Sequence, residues 1–329
     1  MKPLISITMS TFNVDLFIQD SLKCILMQTL ANIEVICIDD ASTDKTASML
    51  QEIAAIDKRV KVVLKSKNEG LSVARNEALA MATGKYICFV DGDDLMDKDL
   101  FLKAYSLAEE TSSEMVIWDY VTFWEESEIE SKKTEPSLLS SISKKDTVAL
   151  LERPAFIWVK LIKTETIREL NIQFAKGLTK QDIPIHWILT TNIKNIAILP
   201  EKLIYYRQQP NATSYKTDRR LFDIAIIMDI VKKDLVENKR YEVYKDVFLK
   251  QQLKLLSIMH DCIENTYKKE AIEMIKERVG EDQINYIYSN KPLLFQSRIF
   301  HKALLGSIFY KVYFKVLLIA RLLYRKIFK

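Results

Sequence analysis

Lys85-Tyr86-Ile87-Cys88-Phe89-Val90-Asp91-Gly92-Asp93-Asp94 is the stretch on which the fold turns. Its first half is rich in β-forming and aromatic side chains and follows the breaker pair Thr83-Gly84, so it reads as a buried strand. Three carboxylates crowd the strand's exit, and Gly92 among them lets the backbone turn sharply. Like charges at this spacing push one another's pKa upward. A divalent cation relieves that conflict, and carboxylate oxygens with no neighbouring His or Cys favour Mg²⁺ or Mn²⁺ over zinc. Open α/β sheets bind ligands beyond the carboxyl ends of their strands, which is where these acids fall. An acidic turn that is merely solvated is the alternative.

Upstream, residues 4–9 alternate as a short strand that ends in Ser10-Thr11-Phe12-Asn13. Residues 33–38 form a near-continuous apolar strand, as a strand covered on both faces would, and exit into Asp39-Asp40-Ala41-Ser42-Thr43-Asp44. A third strand spans 60–64, and helical spacing at 14–30, 46–56 and 71–81 separates these strands. Downstream come a helix at 98–110 and a strand at 115–120. Such alternation predicts an α/β fold with right-handed crossovers and a mainly parallel sheet flanked by helices. Residues 122–145 turn polar and read as an excursion. Helical patterns at 144–151 and 164–170 flank Trp158-Val159-Lys160-Leu161. A loop at 177–182 leads into a helix at 183–191, and 196–199 and 203–206 read as two short strands. From Thr217 the pattern is helical, with breaks near Asn238 and Gly280.

The chain has 329 residues, 48% hydrophobic and 28% charged, a folded profile larger than one compact core. A net charge of +4 is too small for a dedicated nucleic-acid binder. Cys24, Cys37, Cys88 and Cys262 have no CxxC spacing and read as thiols in a reducing compartment, without a disulfide framework or zinc site. Met1-Lys2-Pro3 runs directly into a strand pattern with no signal peptide, so a cytosolic enzyme is expected and the Asn211-Ala212-Thr213 sequon is coincidental. After Asp282 there are no further acids, while Lys311, Lys315, Arg325, Lys326 and Lys329 share one side of a helical wheel. No charge-free run approaches the ~20 residues that cross a bilayer. A basic amphipathic helix of this kind is expected on an anionic membrane surface; packing on the second domain or a partner subunit is the alternative.

Four segments, ISITMSTFN (5–13), IDDASTD (38–44), NEGLSVARN (68–76) and ATGKYICFVDGDD (82–94), in this order resemble the family 2 glycosyltransferases, whose catalytic domain has the GT-A fold. The resemblance covers residues 3–214. It implies a GT-A catalytic domain over 1–215, with a nucleotide-sugar half (1–120) and an acceptor half (121–215), and a helical C-terminal region over 216–329. Asp91 and Asp93 match the family's DXD acids, which hold Mg²⁺ or Mn²⁺ against the donor's diphosphate, with Asp94 beside them. Thr11 and Phe12 match a segment that packs on the nucleoside, although Ser10 and Phe12 stand where the family commonly has Pro and Tyr. Asp40 matches an acid that contacts the base, where a carboxylate can accept from a uracil N–H. Asn68 and Arg75 match positions lining the same pocket; Arg75 could instead neutralise the strand-end acids. For Asp39, Asp44 and Asn76 loop capping competes with ligand contact.

Gly177-Leu178-Thr179-Lys180-Gln181-Asp182 resembles the family's Glu-Asp segment, in which the Asp is the catalytic base. Gln181 replaces the Glu and Asp182 is kept; a helix N-cap before Ile183-Pro184 is the alternative role for Asp182. Trp158 and Lys160 match an acceptor-side segment, with core packing the alternative for Trp158. Tyr205-Tyr206-Arg207 resembles the segment that closes the family's domain, from which Arg207 could reach the diphosphate. The resemblance implies an inverting, metal-dependent transfer of one sugar from a nucleotide sugar, UDP being favoured through Asp40. The acceptor implied is a hydroxyl of a saccharide or lipid-linked saccharide, in surface polysaccharide or glycoconjugate synthesis at the inner face of the cell membrane. The Gln-x-x-Arg-Trp motif of processive synthases is missing, which favours single addition. Two rivals stand. A nucleotidyltransferase on a similar sheet would want a Gly-rich phosphate loop that Ser10-Thr11-Phe12-Asn13 lacks. A nucleotide-sugar-binding protein with an inactive site is motivated by Gln181 and Phe12.

Overall fold

Burial on both faces is what makes the first strands. In the computed structural model, which describes residues 2–143, 146–210 and 216–289, β1 (Ile5–Thr11), β2 (Ile33–Asp39), β3 (Val60–Leu64) and β4 (Tyr86–Asp91) alternate with α1 (Ile18–Leu26), α2 (Thr46–Ile56) and α3 (Leu71–Met81). Every residue of β2 is buried, as its unbroken apolar run requires. After β4 come β5 (Leu95–Met96), α4 (Leu100–Thr111), β6 (Met115–Phe123), α5 (Glu128–Lys133) and α6 (Thr147–Leu151). Then follow β7 (Lys160–Lys163), α7 (Thr164–Glu169), α8 (Asp182–Asn192) and β8 (Ile196–Arg207).

All eight strands form one sheet, in the order β3-β2-β1-β4-β7-β6-β8-β5. Parallel pairing joins β1 to β2 and β4, β2 to β3, and β6 to β8, while β7 runs antiparallel to β4 and β6, and β5 to β8. Two details differ from expectation. The segment around Lys160 is a central strand, inserted between β4 and β6, so the fifth predicted strand does not pair with the fourth. Four residues with a lysine at each end carry little strand signal of their own; pairing on both sides supplies it. The two short strands predicted at 196–199 and 203–206 are one strand, whose register against β6 shifts around Asp119, so that Leu199 pairs with Trp118 and Lys202 with Asp119. The shift absorbs Pro200, which has no N–H to give a ladder.

The register brings strand ends to one rim: Ser10 lies opposite Asp91, and Thr11 opposite Asp39. A buried carboxylate at the other end fixes β4 there. Glu34 accepts from Ser6 Oγ at 2.5 Å, from the Thr83 N–H and hydroxyl at 2.8 and 2.7 Å, and from Lys61 Nζ at 2.7 Å. Burial works against its charge, but these donors outweigh it and hold the carboxyl at about 2. Gly84 completes the junction, because a Cβ there would lie 2.5 Å from the Ser6 nitrogen.

The chain divides into two compact units, Met1–Tyr215 and Lys216–Lys329. In the second, α9 (Asp223–Glu237), α10 (Tyr241–Cys262), α11 (Lys268–Arg278) and α12 (Glu281–Ser289) share a core that includes Leu253, Leu256, Met259, Ala271 and Ile275. The basic segment 291–329 and the 211–213 sequon lie outside the described residues. Among those described, no helix is long and apolar enough to cross a membrane.

Candidate active site

Arg75, on α3, is buried, and a buried cation needs acids. Its Nη2 donates to Asp91 Oδ1 at 3.0 Å and its Nη1 to Asp182 Oδ1 at 2.5 Å, while the guanidinium lies 5.4 Å from the centre of the Phe174 ring. One side chain thus joins the acid at the end of β4 to the acid that opens α8. Asp182 Oδ2 also accepts from the Ile157 N–H at 3.2 Å. The next residue back, Gln181, is buried with its Oε1 against the Ser72 hydroxyl, so α3 holds the start of α8 at two points.

Asp93 and Asp94 continue the rim. Asp93 Oδ2 accepts from Gln209 Nε2 at 2.6 Å, and Asp94 Oδ1 from the Arg207 N–H at 2.9 Å. Burial, then the neighbouring Asp91 charge, pushes the Asp93 carboxyl up to about 6. Burial also lifts Asp91, against the pull of Arg75, and lifts Asp94 further with Asp93 adding to it. Asp94 Oδ2 is buried with no hydrogen-bond partner. Crowded hard oxygens whose charge is penalised in this way suit a divalent cation. Among the described residues no three His, Cys, Asp or Glu side chains converge as a ready-made cage. Mg²⁺ does not need one, since it binds through one or two carboxylates plus substrate phosphates and water. Asp91 and Asp93 fit that role.

The residues expected on the nucleoside side follow the ends of β1 and β2. Thr11 is buried and spends its hydroxyl on Asp39 at 3.1 Å, while Phe12 beside it is 47% exposed. Asp40 is buried, and its oxygens accept from the Glu69 and Gly70 N–H groups at 3.0 and 2.7 Å. It therefore holds the loop that leads into α3, in which Asn68 is exposed.

Four of the predicted residues have contacts that bear on the roles expected of them. Arg75 pairs with the acids, the alternative that its sequence left open. Trp158 is 3% exposed beneath Phe156, so packing claims it. Lys160 is fully enclosed in β7 and donates to the Phe156 carbonyl; burial brings its ammonium down to about 7. The Arg207 guanidinium lies 4.9 and 4.8 Å from the Phe17 and Phe123 ring centres, its Nε donates to the Asp93 carbonyl at 3.0 Å, and its Nη2 donates to the exposed Glu126 at 3.2 Å. Phe174 and Gln209 had no signal in the sequence, and Ser72 fell in a quoted motif without a role of its own, because each finds its partner about a hundred positions away.

Comparison with known proteins identifies the family and the fold. Residues 6–169 match the model of glycosyl transferase family 2. In Bacillus subtilis (strain 168), the uncharacterized glycosyltransferase EpsJ is 28% identical over 221 residues, 64% of this chain and 63% of EpsJ. TuaG of the same organism, named for teichuronic acid biosynthesis, is 40% identical over 111 residues, 34% of this chain and 44% of TuaG. The chain thus spans less than two thirds of either relative. The crystal structure of S. aureus TarS 1-349 in complex with UDP has a TM-score of 0.66 at 19% identity, covering 87% of this chain and 81% of that one. This likeness establishes the fold as GT-A type. With the match running from β1 through α7, the chain belongs to glycosyl transferase family 2.

Proposed function

We propose that the chain is an inverting, metal-dependent glycosyltransferase that moves one sugar from a UDP-sugar to a saccharide hydroxyl in surface polysaccharide synthesis. The observation that carries this reading is the Arg75 bridge, which keeps Asp182 beside Asp91. Family membership, TuaG's name and the UDP held by TarS support it.

In the proposed reaction the acceptor hydroxyl attacks the anomeric carbon from the side opposite the phosphate. The new C–O bond forms as the bond to the diphosphate breaks, and the diphosphate leaves with the electron pair. Asp182 takes the hydroxyl proton; an α-linked donor gives a β-glycoside. Arg75 and the Ile157 N–H fix the orientation of that carboxylate, which is the positioning that general base catalysis needs. Asp91 and Asp93 would hold Mg²⁺ or Mn²⁺, whose charge would offset that of the leaving diphosphate. Asp40, Thr11, Phe12 and Asn68 form the nucleoside side. The basic and apolar residues of segment 291–329 support a lipid-linked acceptor met at an anionic membrane, and pelleting of the full chain with anionic liposomes tests that part.

Hydrolysis of a panel of nucleotide sugars, with and without MnCl₂ and without acceptor, tests the whole. Metal-dependent release of UDP from a UDP-sugar is expected. No release from any donor would favour the second reading, a nucleotide-sugar-binding protein with an inactive site, which Gln181 in place of the family's Glu motivates.

A further inference from the structure

Beside the proposed base lies a cluster of four aromatic rings. Phe156 and Trp158 stack with centroids 4.5 Å apart and 14° between their planes. Tyr120 stands edge-on to both, at 5.5 and 5.1 Å, and Tyr206 leans on both, at 5.8 and 5.2 Å. Trp158 is buried, whereas Phe156, Tyr120 and Tyr206 are half-buried. The cluster is thus an edge of the core that retains access to solvent.

Two main-chain bonds tie Phe156 to the site. Its carbonyl accepts from the buried Lys160 ammonium, and the N–H of the following residue, Ile157, donates to Asp182 Oδ2 at 3.2 Å. The backbone carrying the ring therefore cannot shift without disturbing the carboxylate. A ring stacked on a buried indole and braced by two tyrosines has also already lost most of its rotational freedom, so using it for binding costs little further entropy.

We propose that Phe156 is the acceptor platform: a pyranose ring of the acceptor lies against it and presents a hydroxyl to Asp182. The chemistry is general. A pyranose carries its hydroxyls around the rim and C–H bonds on a face, and that face packs on aromatic surface while the rim stays free for hydrogen bonding. The acceptor-side role that the sequence offered to Trp158 and Lys160 becomes indirect. Trp158 backs the ring and Lys160 holds its carbonyl, and both are positioning residues. The inference rests on Asp182 being the base in the proposed transfer.

Saturation-transfer NMR on the full chain tests it, with methyl β-D-glucopyranoside, methyl β-D-galactopyranoside and methyl N-acetyl-β-D-glucosaminide as probes and UDP calorimetry in parallel. The wild type is expected to saturate the C–H protons of at least one glycoside. Phe156→Ala is expected to weaken that binding about tenfold, Phe156→Leu to weaken it while keeping apolar volume, and Phe156→Tyr to retain it, all with unchanged UDP affinity. Unchanged UDP affinity certifies that a variant has folded. Saturation of none of the probes by the wild type, or equal saturation by Phe156→Ala, overturns the proposal. Glycoside binding that depends on Phe156 in a protein that binds no UDP would leave the platform standing and remove the donor reading.

Discussion

Asp182 accepts from Arg75 at 2.5 Å across 107 positions of sequence. Arg75 is 4% and Asp182 18% exposed, so the pair is largely withdrawn from water. In that setting attraction between charges is stronger than in bulk solvent, and so is the penalty for an unpaired one. The same guanidinium serves Asp91, which makes it the common counter-charge of the acid proposed for the metal and the acid proposed for the proton.

Arg75→Ala should therefore destabilise the protein by about 3–5 kcal/mol, since it leaves two shielded carboxylates without their cation. Urea denaturation measures this. Arg75→Lys, a point charge without the planar fork, should recover only part of the loss.

Asp182→Asn should keep UDP affinity and lose sugar transfer by ~10²–10⁴-fold. The amide oxygen can still accept from Arg75, while its NH2 falls against the Ile157 N–H and the group cannot take a proton. Calorimetry with UDP beside a transfer assay checks both halves, and retained turnover would reassign the base.

Asp93 has an acid signature. Its carboxyl sits at about 6 in the fold, pushed there by burial and then by Asp91, against about 3.9 in an unfolded chain. The folded form therefore binds a proton more tightly. This favours the fold at low pH, and stability is lost as pH rises from about 4 through 6, by on the order of 1–2 kcal/mol. The difference in melting temperature between Asp93→Asn and wild type should grow in the mutant's favour across that window. MnCl₂ should reduce it by binding the wild-type carboxylate. Metal-dependent UDP affinity of the wild type should fall as pH drops below about 6, where Asp93 is protonated.

Gly84→Ala should cost at least about 3 kcal/mol, with chemical denaturation as the measure. The added Cβ would lie 2.5 Å from the Ser6 nitrogen and 2.8 Å from the Ile5 carbonyl carbon, both backbone atoms of a strand paired on each side. Gly70→Ala meets no atom within 4 Å, but its φ of +90° makes it a milder loss, about 1 kcal/mol.

The first four strands and their helices were legible because periodicity and burial coincide there. So were the strand-end acids, since parallel register delivers successive exits to one rim. β7 was not legible: its hydrogen bonds come from β4 and β6, and neither Lys160 nor Lys163 announces a strand in the middle of a sheet. The role of Arg75 was half legible, with neutralisation of the acids open as an alternative but the reach to Asp182 invisible. Trp158 shows the limit from the other side. Core packing was open for it as an alternative, but local sequence cannot say which of two stacked rings is buried and which is half-buried.

Asp40 grips the peptide N–H groups at the mouth of α3, and Ser72 and Arg75 on that same eleven-residue helix grip Gln181 and Asp182. All of these grips fall at the N-terminal end of the helix, so the loop that Asp40 holds and the start of α8 are moored to one short stretch of backbone.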